Sequence, residues 1–240
     1  MSSTVLSLLL LIVWDIGGAD LDVVRLFAGE SGFYARDHWL ASTVLHTGGR
    51  WLGWSLAALL VVQALRTPAV VPRGPNRGQR LLWLGLMLFC AVAVPVLKRF
   101  SATSCPWDLA EFGGAARYLS HWHWGLADGG PGHCFPSGHA VAAFAFFAMY
   151  FLWRDHDRAR ARAWLYGVMV AGALFGTAQL VRGAHYPSHT LWTAWICWAI
   201  CACVAWALKK ARPGALPQAP PAPPASPTPD DADPSKVSPA

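Results

Sequence analysis

Long apolar runs, separated by short polar segments that carry arginine and proline, set the pattern of this chain. Six stretches, 4–16, 48–64, 81–97, 137–153, 164–181 and 190–208, consist mainly of Leu, Val, Ala, Phe and Trp and hold almost no charge. All but the first reach the 17–25 residues that a helix needs to cross a bilayer. The expected fold is all-α, a polytopic membrane protein with roughly six transmembrane helices. The first stretch has the length of a signal-peptide apolar region. No Lys or Arg precedes it and no small-x-small cleavage site follows, so it reads as a retained helix. Residues 19–46 mix Asp20, Asp22, Arg25, Glu30, Arg36, Asp37 and His38 with apolar side chains. That mixture predicts an amphipathic helix lying at the interface.

Composition agrees with a membrane protein. Apolar residues make up 55% and charged residues 13%, against about 25% charged in soluble domains. The 14 tryptophans suit rings anchored at the two membrane interfaces. The net charge of +6 is a signal of topology. Arg66, Arg73, Arg77 and Arg80 share one short loop, Arg154, Arg158, Arg160 and Arg162 a second, and Lys209, Lys210 and Arg212 follow the last run. With alternating spans, all three clusters fall on one side, which the positive-inside rule makes cytoplasmic. The expected location is the cell (inner) membrane, with the other loops facing the periplasm or exterior. No basic stripe interleaved with aromatics points to nucleic acid. Residues 1–211 read as one membrane-embedded domain. Residues 212–240, rich in Pro and Ala, lack the apolar surface to fold and read as a disordered cytoplasmic tail.

The chemistry gathers at helix ends on the expected outer side. In Phe135-Pro136-Ser137-Gly138-His139-Ala140 a polar loop turns into an apolar run. Pro136 suits a first helical turn. Ser137 and Gly138 would then offer a hydroxyl and free N–H groups to an anion, and His139 adds a titratable ring. Upstream, an apolar run ends at Lys98-Arg99, followed by Cys105-Pro106. Downstream, Arg182 and His185-Tyr186-Pro187-Ser188-His189 open the last run. These blocks resemble the signature of the type 2 phosphatidic acid phosphatase (PAP2) superfamily, whose pattern is Lys-x6-Arg-Pro, Pro-Ser-Gly-His and Ser-Arg-x5-His-x3-Asp. The middle block is complete. Cys105 stands at the first arginine, Ala178 and Gln179 at Ser-Arg, and His189 at the aspartate. Arg182, three residues before His185, is one helical turn away and positioned to supply the lost guanidinium.

The resemblance implies a lipid phosphatase that cleaves a phosphate monoester or diphosphate through a phosphohistidine. His185 is then the nucleophile and His139 the general acid. Lys98, Ser137, Gly138 and Arg182 hold the phosphate. His189, on the same helix face as His185, is expected to take the aspartate's place and accept the nucleophile's other ring proton. The chemistry needs charge stabilisation, an in-line nucleophile and a proton for the leaving group, and calls for no cofactor and no metal. Partners are a lipid phosphate and the bilayer; the sequence sets no oligomeric state. Cys105 and Cys134 flank blocks that must converge, on a side where an oxidising compartment permits a disulfide. Cys90, Cys197, Cys201 and Cys203 lie in apolar runs and read as packing residues. His121, His123 and His133 share the outer loop, but their spacing matches no zinc pattern. A phosphotransferase would use the same residues. A non-enzymatic reading, haem-binding or transport, needs paired histidines at one depth or ionisable groups near the midplane, whereas these groups sit at helix ends.

Overall fold

The computed structural model describes residues 2–211 apart from Glu30, Arg73 and Trp124. The tail 212–240 lies outside the described residues. The chain is mostly helical: α1 (Ser2–Gly17), α2 (Ala19–Arg25), α3 (Gly49–Arg66), α4 (Arg77–Arg99), α5 (Val141–Phe144), α6 (Phe147–Trp153), α7 (Arg158–Val181) and α8 (Pro187–Ala211). On length and hydropathy α4, α7 and α8 can each cross a membrane, and α1 with α2, bent by 70°, is a further candidate. Among the described residues three helices, or four spans with the bent pair, qualify by length and composition, and the count of six is not confirmed.

The caps explain where these helices start. Asn76 and Gln79 form a reciprocal capping box at the head of α4. Asp157 caps α7 through the Arg160 N–H at 2.9 Å. At the far end of α7 the Gly183 N–H donates to Leu180 O (2.9 Å) and the Ala184 N–H to Gln179 O (2.8 Å), the paired bonds of a Schellman ending. Gly183 has φ +75°, and a Cβ there would lie 2.3 Å from the Phe33 ring. Only glycine meets both demands, and this turn delivers His185 to the site.

The bundle core unites α3, α4, α5, α6, α7 and α8 around buried Met87, Cys90, Phe144, Phe147, Met149, Phe151, Val168 and Cys197. Small residues let the backbones close up. A Cβ on Gly172 would meet the Phe144 ring at 2.2 Å, and one on Gly176 would meet Thr190 Cγ2 at 2.5 Å. A second apolar cluster, Val24, Phe33, Leu109, Phe112, Ala116 and Tyr186, caps the bundle at the end that carries the polar loops. Arg25 locks α2 onto that loop through a two-pronged pair with Glu111 (2.6 and 3.2 Å).

Two segments differ from expectation. Residues 19–46 are not one amphipathic helix. After α2 comes a two-stranded hairpin, β1 (Ala28–Gly29) with β2 (Gly32–Phe33), and then a π-helix, Leu40–Gly48, that runs into α3. Gly29 and Gly32 break the helical period, and Gly32 takes φ +103°. The stretch 137–153 does not start as helix at Pro136. Residues 138–140 are a turn, and α5 begins at Val141. Between α5 and α6 the bonds tighten to three-residue steps, Phe146 N–H to Ala143 O (3.0 Å) and Met149 N–H to Phe146 O (2.9 Å).

Candidate active site

Three chain segments meet at one end of the bundle: the last turn of α4, the loop 134–140 before α5, and the turn from α7 into α8. Cys105 and Cys134 form a disulfide with Cα atoms 5.1 Å apart, joining the segment after α4 to the serine-glycine-histidine loop. Backbone bonds His133 N–H to Ser101 O (2.8 Å) and Cys134 N–H to Thr103 O (2.9 Å) continue that join. Asp128 pins the base of the loop by accepting from Ser104 N–H (2.6 Å) and Ser104 Oγ (2.8 Å). The head of α8 is fixed from far away in the chain. Asp20 of α2 accepts from Ser188 N–H at 3.0 Å and from Ser188 Oγ, so its carboxylate serves as the cap at the positive end of the α8 dipole.

His185 is buried at 2% exposure. Its ring centroid stands 6.2 Å from that of His139 and 5.9 Å from that of His189. Its Nδ1 lies 3.5 Å from the Cys134 sulfur. That sulfur is in a disulfide and has no proton to donate; an Nδ1–H facing it leaves the lone pair on Nε2. Burial, then the charge of Lys98, holds the His185 pKa well below the ordinary 6.5. His139 is pushed down to about 3, first by burial and then by His46, Lys98, Arg182 and Arg50. Both rings are therefore neutral at pH 7.

Lys98 is half-buried beside the loop, and a Cβ on Gly138 would sit 4.0 Å from its Nζ. The Ser137 N–H, expected to face an anion, instead donates to His189 O at 3.1 Å. Thr193 Oγ1 donates toward both Ser137 O (3.0 Å) and His189 O (2.9 Å). With its backbone so engaged, Ser137 keeps a buried hydroxyl that has no partner, and His139 Nδ1 is equally buried and unpartnered. Buried polar atoms are normally paired; two such atoms beside an ammonium are hydrogen-bonding groups left free for an anion. Arg182 is held by its Nε–H bond to Arg36 O (2.9 Å) and lies near enough to act on His139.

His189 is not placed as expected. Its Nδ1 faces Cys134 O at 3.1 Å, and its ring stands roughly perpendicular to that of His185 without a hydrogen bond between them. The carbonyl can only accept, so His189 Nδ1 is the protonated nitrogen. Of the other outer-loop histidines, His121 packs flat on Phe135 at 4.1 Å and pairs with Asp15. Cys105, Cys134 and His185 offer atoms within 4.8 Å of one another, but the disulfide leaves neither sulfur a thiolate for a metal.

Sequence reasoning missed four residues here. His46 of the π-helix packs against His139 with the rings tilted by 41° and their centroids 3.9 Å apart. Arg50 follows one turn later and adds positive charge. Asp20 and Asp15 arrive from the first two helices. Asp15 sits at the end of an apolar run, a place that gave the one local signal available.

A membrane bundle with such groups at its helix ends is the setting in which the comparisons fall. The profile of the PAP2 superfamily matches residues 80–213; the chain belongs to this superfamily, and it is a multi-pass membrane protein. Among solved structures it is similar to the first transmembrane PAP2 type phosphatidylglycerolphosphate phosphatase from Bacillus subtilis. The TM-score is 0.56 at 15% identity, over 90% of this chain and all (100%) of that one. No curated protein sequence matches.

Proposed function

We propose that the protein is a membrane lipid phosphatase that hydrolyses a lipid phosphate monoester or diphosphate through a phosphohistidine at the outer face of the membrane. The observation that carries this reading is the pair of unpartnered buried atoms, Ser137 Oγ and His139 Nδ1, set beside Lys98 and His185. The family and the fold support a phosphatase. The named activity of the Bacillus subtilis protein is consistent with a phospholipid phosphate as substrate.

The residues divide the work as follows. A phosphate dianion settles against Lys98, the Ser137 hydroxyl and the Gly138 backbone, with Arg182 at the rim. Its charge opposes what depresses His139, so binding substrate raises that pKa and lets the ring take a proton. Neutral His185 attacks phosphorus through Nε2, the P–O ester bond breaks, and His139 protonates the leaving alkoxide. Water, deprotonated by His139, then cleaves the P–N bond and releases phosphate. An apolar groove of about 190 Å³ runs from Gly138 and Arg50 between α3 and α4, past Trp54, Met87 and Phe146. It gives the lipid tail a place beside the reacting head group. The clusters of arginine at the opposite helix ends read as cytoplasmic by the positive-inside rule, which supports an outward-facing site.

The test is phosphate release from a panel of lipid phosphates by purified protein in detergent, with and without EDTA. Turnover of at least one lipid phosphate, undiminished by EDTA, is expected. No release from any, or loss with EDTA, overturns the reading.

A further inference from the structure

When His185 attacks, its ring becomes a cation in a buried site, and such a charge needs an opposite one nearby. Of the groups acting on His185, Lys98, His189 and His139 bring no negative charge, and the Cys134 backbone, which favours the charged ring, carries no net charge. Asp20 is close, but Ser188 and Trp14 occupy both of its oxygens. Asp15 differs. Its side chain is 2% exposed, in an aromatic box. One oxygen takes the Trp122 and Trp192 indole N–H groups at 2.9 and 2.8 Å and faces His121 Nε2 at 3.3 Å. The other is buried and unpartnered. The His121 ring lies 5.7 Å from that of His189, which lies 5.9 Å from that of His185. Trp192 stands three residues beyond His189 on the same face of α8. Asp15, His121, His189 and His185 thus follow one another in a row, the three rings edge to face with no hydrogen bond between them.

Resting on the phosphatase reading, we propose that Asp15 and His121 form the counter-charge of the phosphohistidine, acting on His185 through His189. They are positioning residues, since neither touches substrate. For the pair to carry one net negative charge beside the 3.3 Å approach of Nε2 to the carboxylate, His121 must hold a single proton. During attack the P–N bond forms, the ester P–O bond breaks with its electrons leaving on oxygen, and His139 supplies the proton. His185 keeps its Nδ1 hydrogen and becomes cationic; no proton moves along the row. The arrangement moves to Asp15 the negative charge that a carboxylate at position 189 would provide.

The experiment compares Asp15→Asn in two backgrounds, wild type and His189→Asp, with kcat and KM measured on the same lipid phosphate. In the wild-type background kcat is expected to fall about 10–100-fold with KM little changed, the range for lost support behind a reacting group. In the His189→Asp background, which brings its own carboxylate, the fall should be under threefold. An equal fall in both backgrounds marks a purely structural role and overturns the proposal, as does an unchanged kcat in wild type. If Asp15→Asn does not fold, ring-15N NMR of the wild-type protein decides. A singly protonated His121 supports the proposal, and a doubly protonated one overturns it. A wild-type protein that turns over no lipid phosphate overturns both readings; an active wild type with an indifferent Asp15→Asn overturns this one alone.

Discussion

The Cys105–Cys134 disulfide should carry both stability and catalysis, and the two effects can be separated. The bond closes a segment with a sequence separation of 29. For a loop of that size the chain-entropy relation gives roughly 3.5 kcal/mol of stabilisation at 25 °C. It applies here because the enclosed loop lies outside the helical bundle and gains its freedom in water. Other ties remain after the bond is cut, including Ser104 with Asp128 and the backbone pairs at Thr103 and Ser101. These ties reduce the loss to about 2–3 kcal/mol, the lower part of the usual range. At about 2–4 °C per kcal/mol for a chain of this size, the melting temperature should drop by roughly 4–12 °C. The catalytic effect arises because the Cys134 sulfur lies 3.5 Å from His185 Nδ1 and its carbonyl 3.1 Å from His189 Nδ1. Without the bond both rings lose their fixed neighbour. The double variant Cys105→Ala/Cys134→Ala should therefore melt earlier and also turn over more slowly well below its melting point. Thermal unfolding in detergent, read beside kcat at 20 °C, measures both. A double alanine variant that melts within 2 °C of wild type refutes the staple. One that melts early yet keeps wild-type kcat refutes the positioning role.

Other expectations are narrower. His185→Ala should abolish turnover, and His139→Ala should slow it while still allowing phosphoenzyme from activated esters; a near wild-type rate for His185→Ala removes the nucleophile assignment. Gly183→Ala should destabilise by more than about 1 kcal/mol, because φ +75° and the Phe33 ring both exclude a side chain; an unchanged melting curve contradicts the packing described. Arg182→Lys should raise KM, since a point charge does not replace a planar fork on phosphate; equal KM values would place Arg182 outside the phosphate site. Because the His185 pKa lies below 6.5, the ring stays neutral and nucleophilic as pH falls through 6.5. The acid limb of kcat/KM should then lie below the value for free histidine, and a limb at 7 or above contradicts it.

What was legible in the sequence was what local pattern encodes. The apolar runs mark the helices because membrane burial needs length and hydropathy. The histidine and lysine blocks stand out because their order and spacing are compact. The disulfide followed from two cysteines flanking blocks that had to meet. What stayed hidden depends on distant contacts. Asp20 is 168 residues from Ser188, and Asp15 is 177 from Trp192. Nothing near an aspartate in the chain says which helix it will cap. His46 was hidden for another reason. A helical period of 3.6 does not describe the π-helix that turns it onto His139. The orientation of His189 was missed because its Nδ1 bonds a backbone carbonyl, Cys134 O, that no side-chain pattern announces.

The cap that Asp20 places on Ser188 has a consequence for biosynthesis. A ribosome extends a chain by about 5–20 residues per second, so these two residues emerge on the order of 10–30 s apart. Throughout that interval Asp20 has only its Trp14 partner, and His185 has not yet been made. The site is therefore completed in one late event, the docking of the head of α8 on α2. Any variant that delays that docking should lower the yield of active protein without altering the turnover of the molecules that succeed.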